Sequence, residues 1–149
     1  MIILDSCAVL DIVFGERLAK SLSEFLDQEQ AKGGEIVFLP LTALECSSVV
    51  SVRYKERKSN IHDLDYYLGV IRDFGSVSIQ GDLSEDIIVQ EAKIKSTHAA
   101  SIVDCYLIAN AMARSAEIVT ADQEILKFRS KTSKVRKINQ KFSAIKWPK

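Results

Sequence analysis

The sequence predicts an α/β fold in which short buried strands alternate with amphipathic helices. Three observations carry that expectation. Short β-branched runs such as Ile2-Ile3-Leu4 read as buried strands. The longer segments between such runs repeat their apolar residues at helical spacing. Two of the runs end in an acid, Asp5 and Asp122, and open α/β sheets collect their ligand sites at the carboxyl edge of the strands.

In chain order, Ile2 to Leu4 is the first strand and Asp5 its first polar residue. Glu16 to Ala31 is a helix with Leu18, Leu22, Phe25 and Leu26 inward, stopped by Gly33-Gly34. Ile36 to Leu39 is a second strand. Pro40, suited to a first helical position, opens a helix to Lys55 with Leu41, Leu44, Ser48, Val49 and Val52 as its inward stripe. Glu45 stands four residues after Leu41 and four before Val49, so its carboxylate is expected to face the interior or a cleft. Asn60 to Phe74 reads as a helix with Leu64, Tyr67, Leu68 and Ile71 inward and Ser59 or Asn60 as its cap. Val77 to Ile79 is a strand candidate, and Leu83 to Lys95 a helix with Ser84 near its cap. Ser101 to Arg114, rich in Ala, Ile, Leu and Met, is a helix whose stripe Asp104 interrupts. Glu117 to Asp122 repeats the design of the first strand, presenting Thr120 and Asp122 at its end. Trp147 reads as a packing anchor.

Four acids thus fall where a folded chain would place them toward one cleft. A buried, unpaired carboxylate is costly, and two like charges ~4 Å apart repel by roughly 4 kcal/mol at an effective dielectric of ~20. No Lys or Arg accompanies any of the four within its own motif. A divalent cation with oxygen ligands relieves the repulsion, and Mg²⁺ or Mn²⁺ suits carboxylates while leaving positions open for water and phosphate. Each acid also has a structural reading: Asp5 as a turn residue, Asp104 and Asp122 as helix caps, Glu45 as a buried partner of an Arg.

The order and context of the acids resemble the PIN domains, and among them the compact bacterial and archaeal toxin ribonucleases of the VapC type. The resembling pieces are Ile3-Leu4-Asp5-Ser6, Leu41-Thr42-Ala43-Leu44-Glu45, the run from Ile102 to Ala111 around Asp104, and Ile118-Val119-Thr120-Ala121-Asp122. The resemblance implies a three-layer α/β/α fold with a mostly parallel sheet. It implies an endoribonuclease dependent on Mg²⁺ or Mn²⁺, a homodimer, and inhibition by a small antitoxin. Carried over residue by residue, it makes Asp5, Glu45, Asp104 and Asp122 catalytic metal ligands, with Ser6 and Thr120 as supporting hydroxyls and Glu124 as a further acid. Ala121 stands where many relatives carry Arg, Asn or Gly. That departure sustains an alternative, a PIN-like module that binds RNA or protein without cutting.

At 149 residues the chain is long enough to bury roughly 70% of its unfolded surface in one core, and one domain over residues 1–149 is expected. No apolar run approaches the ~20 residues of a membrane span, and the opening Met1-Ile2-Ile3-Leu4 has no basic flank, so a cytoplasmic protein is expected. Cys7, Cys46 and Cys105 are odd in number and lack metal-finger spacing. They read as buried structural thiols; zinc ligation with His62 or His98 is opposed by geometry, since neighbours on a helix point about 100° apart. Asp11 is expected to cap or to face solvent.

Formal charge balances at 20 acidic and 20 basic residues, yet no acid follows Glu124. The basic run beyond it, including Lys134, Arg136 and Lys137, is expected to contact nucleic-acid phosphates, which adds affinity without sequence information. Arg53, Lys55, Arg57 and Lys58 form a second basic group, better explained by the favourable helix dipole at that end.

Overall fold

The computed structural model describes residues 1–56, 64–76, 84–97, 100–128 and 133–147. Within them the chain runs β1 (Ile2–Leu4), α1 (Ser6–Val13), α2 (Ala19–Ala31), β2 (Ile36–Phe38), α3 (Pro40–Lys55), α4 (Leu64–Ser76), α5 (Glu85–Thr97), α6 (Ile102–Arg114), β3 (Glu117–Thr120), α7 (Gln123–Lys127), β4 (Lys134–Lys137) and β5 (Ser143–Lys146). The five strands form one mixed sheet in the order β2-β1-β3-β5-β4. β1 pairs in parallel with β2 and β3, whereas β5 runs antiparallel to β3 and β4 antiparallel to β5. Helices cover both faces, giving the three-layer α/β/α architecture.

Strand alternation sorts the core into two halves. Ile2, Leu4, Phe38, Val119 and Ala144 point to one face and pack with Val9, Leu22, Cys46, Val50 and Ile71 from α1 to α4. Ile3, Val37, Ile118 and Ile145 point to the other and pack with Ile87 of α5, Leu107 and Ile108 of α6, Ile125 of α7, and Trp147. Each fully buried aliphatic side chain contributes on the order of 2 kcal/mol.

The sequence departs from the structure in four places. The basic run after Glu124 is woven into the sheet: Phe142, Ala144 and Ile145 are buried, and β5 hydrogen-bonds to β3. α1 forms in the apolar stretch Ser6–Val13, between the strand and the helix that periodicity identifies. On α3 the buried residues are Thr42, Cys46 and Val50, while Leu44 and Val52 are 66% and 50% exposed. The expected stripe was one step out of phase because α3 lies close against α1, where small side chains fit: the Cys46 thiol sits 3.8 Å from the Ser6 carbonyl. Asp11 is buried, and Lys141 donates to it at 2.7 Å; it neither caps nor faces water. The strand candidate Val77 to Ile79, the cap at Ser59 or Asn60, and His62, His98, Arg57 and Lys58 lie outside the described residues.

Candidate active site

Register fixes the site's floor. β1 and β3 are parallel neighbours with Leu4 beside Val119, so Asp5 and Thr120 leave the sheet side by side at its carboxyl edge. Thr120 Oγ1 donates to Asp5 Oδ2 at 2.6 Å and accepts from the Asp122 backbone N–H at 2.9 Å. One hydroxyl therefore couples both strand ends.

Asp5 is also the N-cap of α1, accepting from Ser6 N at 2.7 Å through Oδ1. Asp122 caps α7 through Oδ1, accepting from Glu124 N at 2.7 Å. Asp104 closes a capping box with Ser101 at the start of α6. These are the structural readings of three of the acids, and they coexist with a shared location: the N-termini of α1 and α6 favour negative charge and offset part of the cost of gathering it. In each cap one carboxylate oxygen takes the backbone N–H, which fixes the direction of the other.

The acids act on one another electrostatically. Burial pushes the Glu45 carboxyl up, and the charges of Asp5, Asp104 and Asp122 push it further, while a hydrogen bond with Ser6 pulls it down. Asp5 is likewise raised by burial, against hydrogen bonds from Cys7, Thr120 and Ser6, with Asp104 adding repulsion. Asp5, Asp104 and Asp122 thus lie within electrostatic reach of Glu45, and Ser6 hydrogen-bonds both Asp5 and Glu45. Among the described residues no three His, Cys, Asp or Glu side chains are gathered tightly enough to form a finished metal cage. The donor set is nonetheless all carboxylate oxygen, which fits a hard cation such as Mg²⁺ or Mn²⁺, and a bound cation would lower the raised Glu45 and Asp5 carboxyls.

A family model described as PIN domain matches residues 2–131. This chain belongs to the PIN domain family. No functionally curated protein matches it. A PIN domain is in general a nuclease, and Asp5 and Asp122 of this PIN domain follow β1 and β3 at the sheet edge at which open α/β folds bind ligands.

Other sequence-predicted residues have different surroundings. Glu124 is exposed and pairs with Lys127. Arg136 leaves β4 toward α2, where it donates to Glu29 at 2.8 Å and to Glu117 at 2.7 Å and lies 4.9 Å over the Phe25 ring. Lys134 and Lys137 are exposed. Arg53 pairs with Glu16 at 3.6 Å and stacks on Phe14.

Cys7, expected as a buried structural thiol, is only partly buried and touches the site. Its thiol donates to Asp5 Oδ2 at 3.0 Å and accepts from the Ala121 N–H at 3.2 Å. Burial and the neighbouring Asp5 charge push it far above the usual thiol range, so it stays a neutral donor. Position two after a strand-end acid, on the first turn of a helix that caps on that acid, was the available signal. Cys46 and Cys105 are buried, and burial raises both thiols as well.

Proposed function

We propose that this PIN domain is a metal-dependent endoribonuclease that hydrolyses RNA phosphodiester bonds, acting as the toxin of a toxin–antitoxin pair. The observation that carries the reading is the Glu45 carboxyl, raised by burial and by Asp5, Asp104 and Asp122 together. A half-buried carboxyl set among three other acids is a cost to a scaffold, whereas a cation site makes use of it.

In this reading Asp5, Glu45, Asp104 and Asp122 hold Mg²⁺ or Mn²⁺. The cation supplies Lewis-acid polarisation of a phosphoryl oxygen and a lowered pKa for water. The chain's own part is positional. Thr120 and Cys7 hold Asp5 Oδ2, Ser6 holds Oδ1, and the cap at α7 holds Asp122. Glu45, raised by burial and by its acidic neighbours, would be drawn back toward its ordinary range by a bound cation. Lys134 and Lys137 contribute contacts to RNA phosphates; Arg136, already forked between Glu29 and Glu117, adds positive potential rather than a free donor.

A homodimer and a small antitoxin complete the proposal, supported by exposed apolar side chains on α3 and α6, Leu44, Val52 and Ile102. Among the described residues no helix is long and apolar enough to cross a membrane, which accords with a cytoplasmic site of action. The products should carry 5′ phosphate and 3′ hydroxyl ends. End-group analysis of digested RNA tests this; cyclic phosphate ends, which need no cation, would contradict it. Growth arrest on expression, relieved by Asp104→Asn, is the expected mark of a toxin.

A further inference from the structure

Beside the acidic edge lies a groove of about 530 Å³ between α7 and the β4–β5 pair, lined by Gln123, Lys127, Val135, Lys137, Gln140 and Lys141 among others. Three of its lining residues are lysines, and no Asp or Glu lines it among the described residues. Its volume lies in the range that takes an organic ligand rather than a bare ion, about 300–1,000 Å³.

Sheet register ties the groove to the site. Ser143 on β5 is the partner of both Thr120 on β3 and Lys137 on β4. Lys137 therefore ends its strand level with Thr120, two strand spacings away, or about 10 Å. Gln123, which lines the groove, directly follows Asp122. The groove and the acids are two stations on one edge.

Alternation puts Val135 and Lys137 on the same face of β4, the face that α7 borders, while Arg136 points the other way to Glu29 and Phe25. Lys137 carries no ion pair among the described residues, Lys127 holds Glu124 at the surface, and Lys141 holds Asp11 and Glu16. Val135 is 41% exposed, an apolar surface beside ammonium groups. Lysine ammonium groups along a groove without acids are what the phosphates of a nucleic-acid strand meet, and Val135 and Leu126 give the sugars and bases apolar surface beside them.

We infer that this groove binds the single-stranded RNA segment adjoining the scissile phosphate, with Lys127 and Lys137 as its phosphate contacts. The inference rests on the ribonuclease reading above for the identity of the strand. It separates the basic run into residues that tie the sheet region to the helices beside it, Arg136 to α2 and Lys141 to Asp11 of α1, and residues that meet substrate.

The test is fluorescence anisotropy of a labelled single-stranded oligoribonucleotide with the full chain, in chelator so that nothing is cut, across a salt series. Lys127→Gln with Lys137→Gln should weaken binding at least about tenfold and flatten the plot of log affinity against log salt by roughly 1.4, or about 0.7 for each phosphate no longer neutralised. Lys137→Arg alone should bind as the parent does. Unchanged affinity and slope in the double variant overturn the inference, as does a parent protein that binds the oligonucleotide without salt dependence or not at all. Failure of the ribonuclease reading shows separately, as absence of cleavage when Mg²⁺ or Mn²⁺ replaces the chelator.

Discussion

Thr120 and Asp5, 115 residues apart in sequence, meet through a 2.6 Å hydrogen bond from hydroxyl to carboxylate. Because the same hydroxyl accepts the Asp122 N–H, the pair sets the spacing of two proposed ligands. Groups that orient ligands typically matter 10–100-fold in metal affinity or activity. Thr120→Val should therefore lower RNA cleavage by about that factor, raise the metal concentration giving half-maximal rate, and cost about 1–3 kcal/mol of stability as the Asp122 N–H loses its partner. Thr120→Ser should restore all three.

Cys7 gives a parallel case through a weaker donor. Its thiol bridges Asp5 Oδ2 and the Ala121 N–H, so Cys7→Ser keeps a donor and an acceptor in place and should stay active. Cys7→Val removes both and leaves the Ala121 N–H without its partner, a cost of about 1–3 kcal/mol. Melting temperature and cleavage rate measured together distinguish the two variants.

Metal binding should register in stability as well as in rate. A ligand at a hundred times its Kd adds about 2.7 kcal/mol, which for a chain of this size raises Tm by about 5–10 °C. Mn²⁺ or Mg²⁺ should produce such a rise, and Asp104→Asn should remove most of it. Potassium at equal ionic strength serves to separate binding from screening.

Away from the site, Arg136 clamps α2 to β3 through Glu29 and Glu117. Its hydrogen bond, helped by Lys32, holds the Glu29 carboxyl at about 2, well below its usual range. The folded form therefore binds fewer protons than the unfolded one between pH about 4.5 and 2, and this contribution is present above that window and lost as pH falls through it. Glu29→Gln should flatten the acid limb of stability against pH. Arg136→Met should cost about 1 kcal/mol at neutral pH, reduced by its exposure.

Legibility in the sequence followed local physics. The acids were visible because strand ends and cap positions have sequence signatures: Asp5 after a β-branched run, Asp104 three residues after Ser101, Asp122 before α7. On α3 hydropathy points to Leu44 and Val52, whereas Thr42, Cys46 and Val50 are buried; Cys46 lies against Ser6 of α1, a tertiary contact that hydropathy does not encode. β5 was hidden for a related reason. Its Ser143-Ala144-Ile145-Lys146 has only one strongly apolar residue, and its burial comes from pairing with β3. Cys7 and the Asp11–Lys141 pair depend on contacts more than a hundred residues apart, beyond any local motif.

The most direct measurement is cleavage of total cellular RNA by the purified protein with Mg²⁺, with Mn²⁺ and with chelator, beside Asp5→Asn. Fragments are expected with either cation and none with chelator, with a loss of at least about 10²-fold in the variant, the scale on which metal-positioning groups act. Fragments that persist in chelator, or an Asp5→Asn protein that cuts as fast as its parent, would contradict the ribonuclease reading.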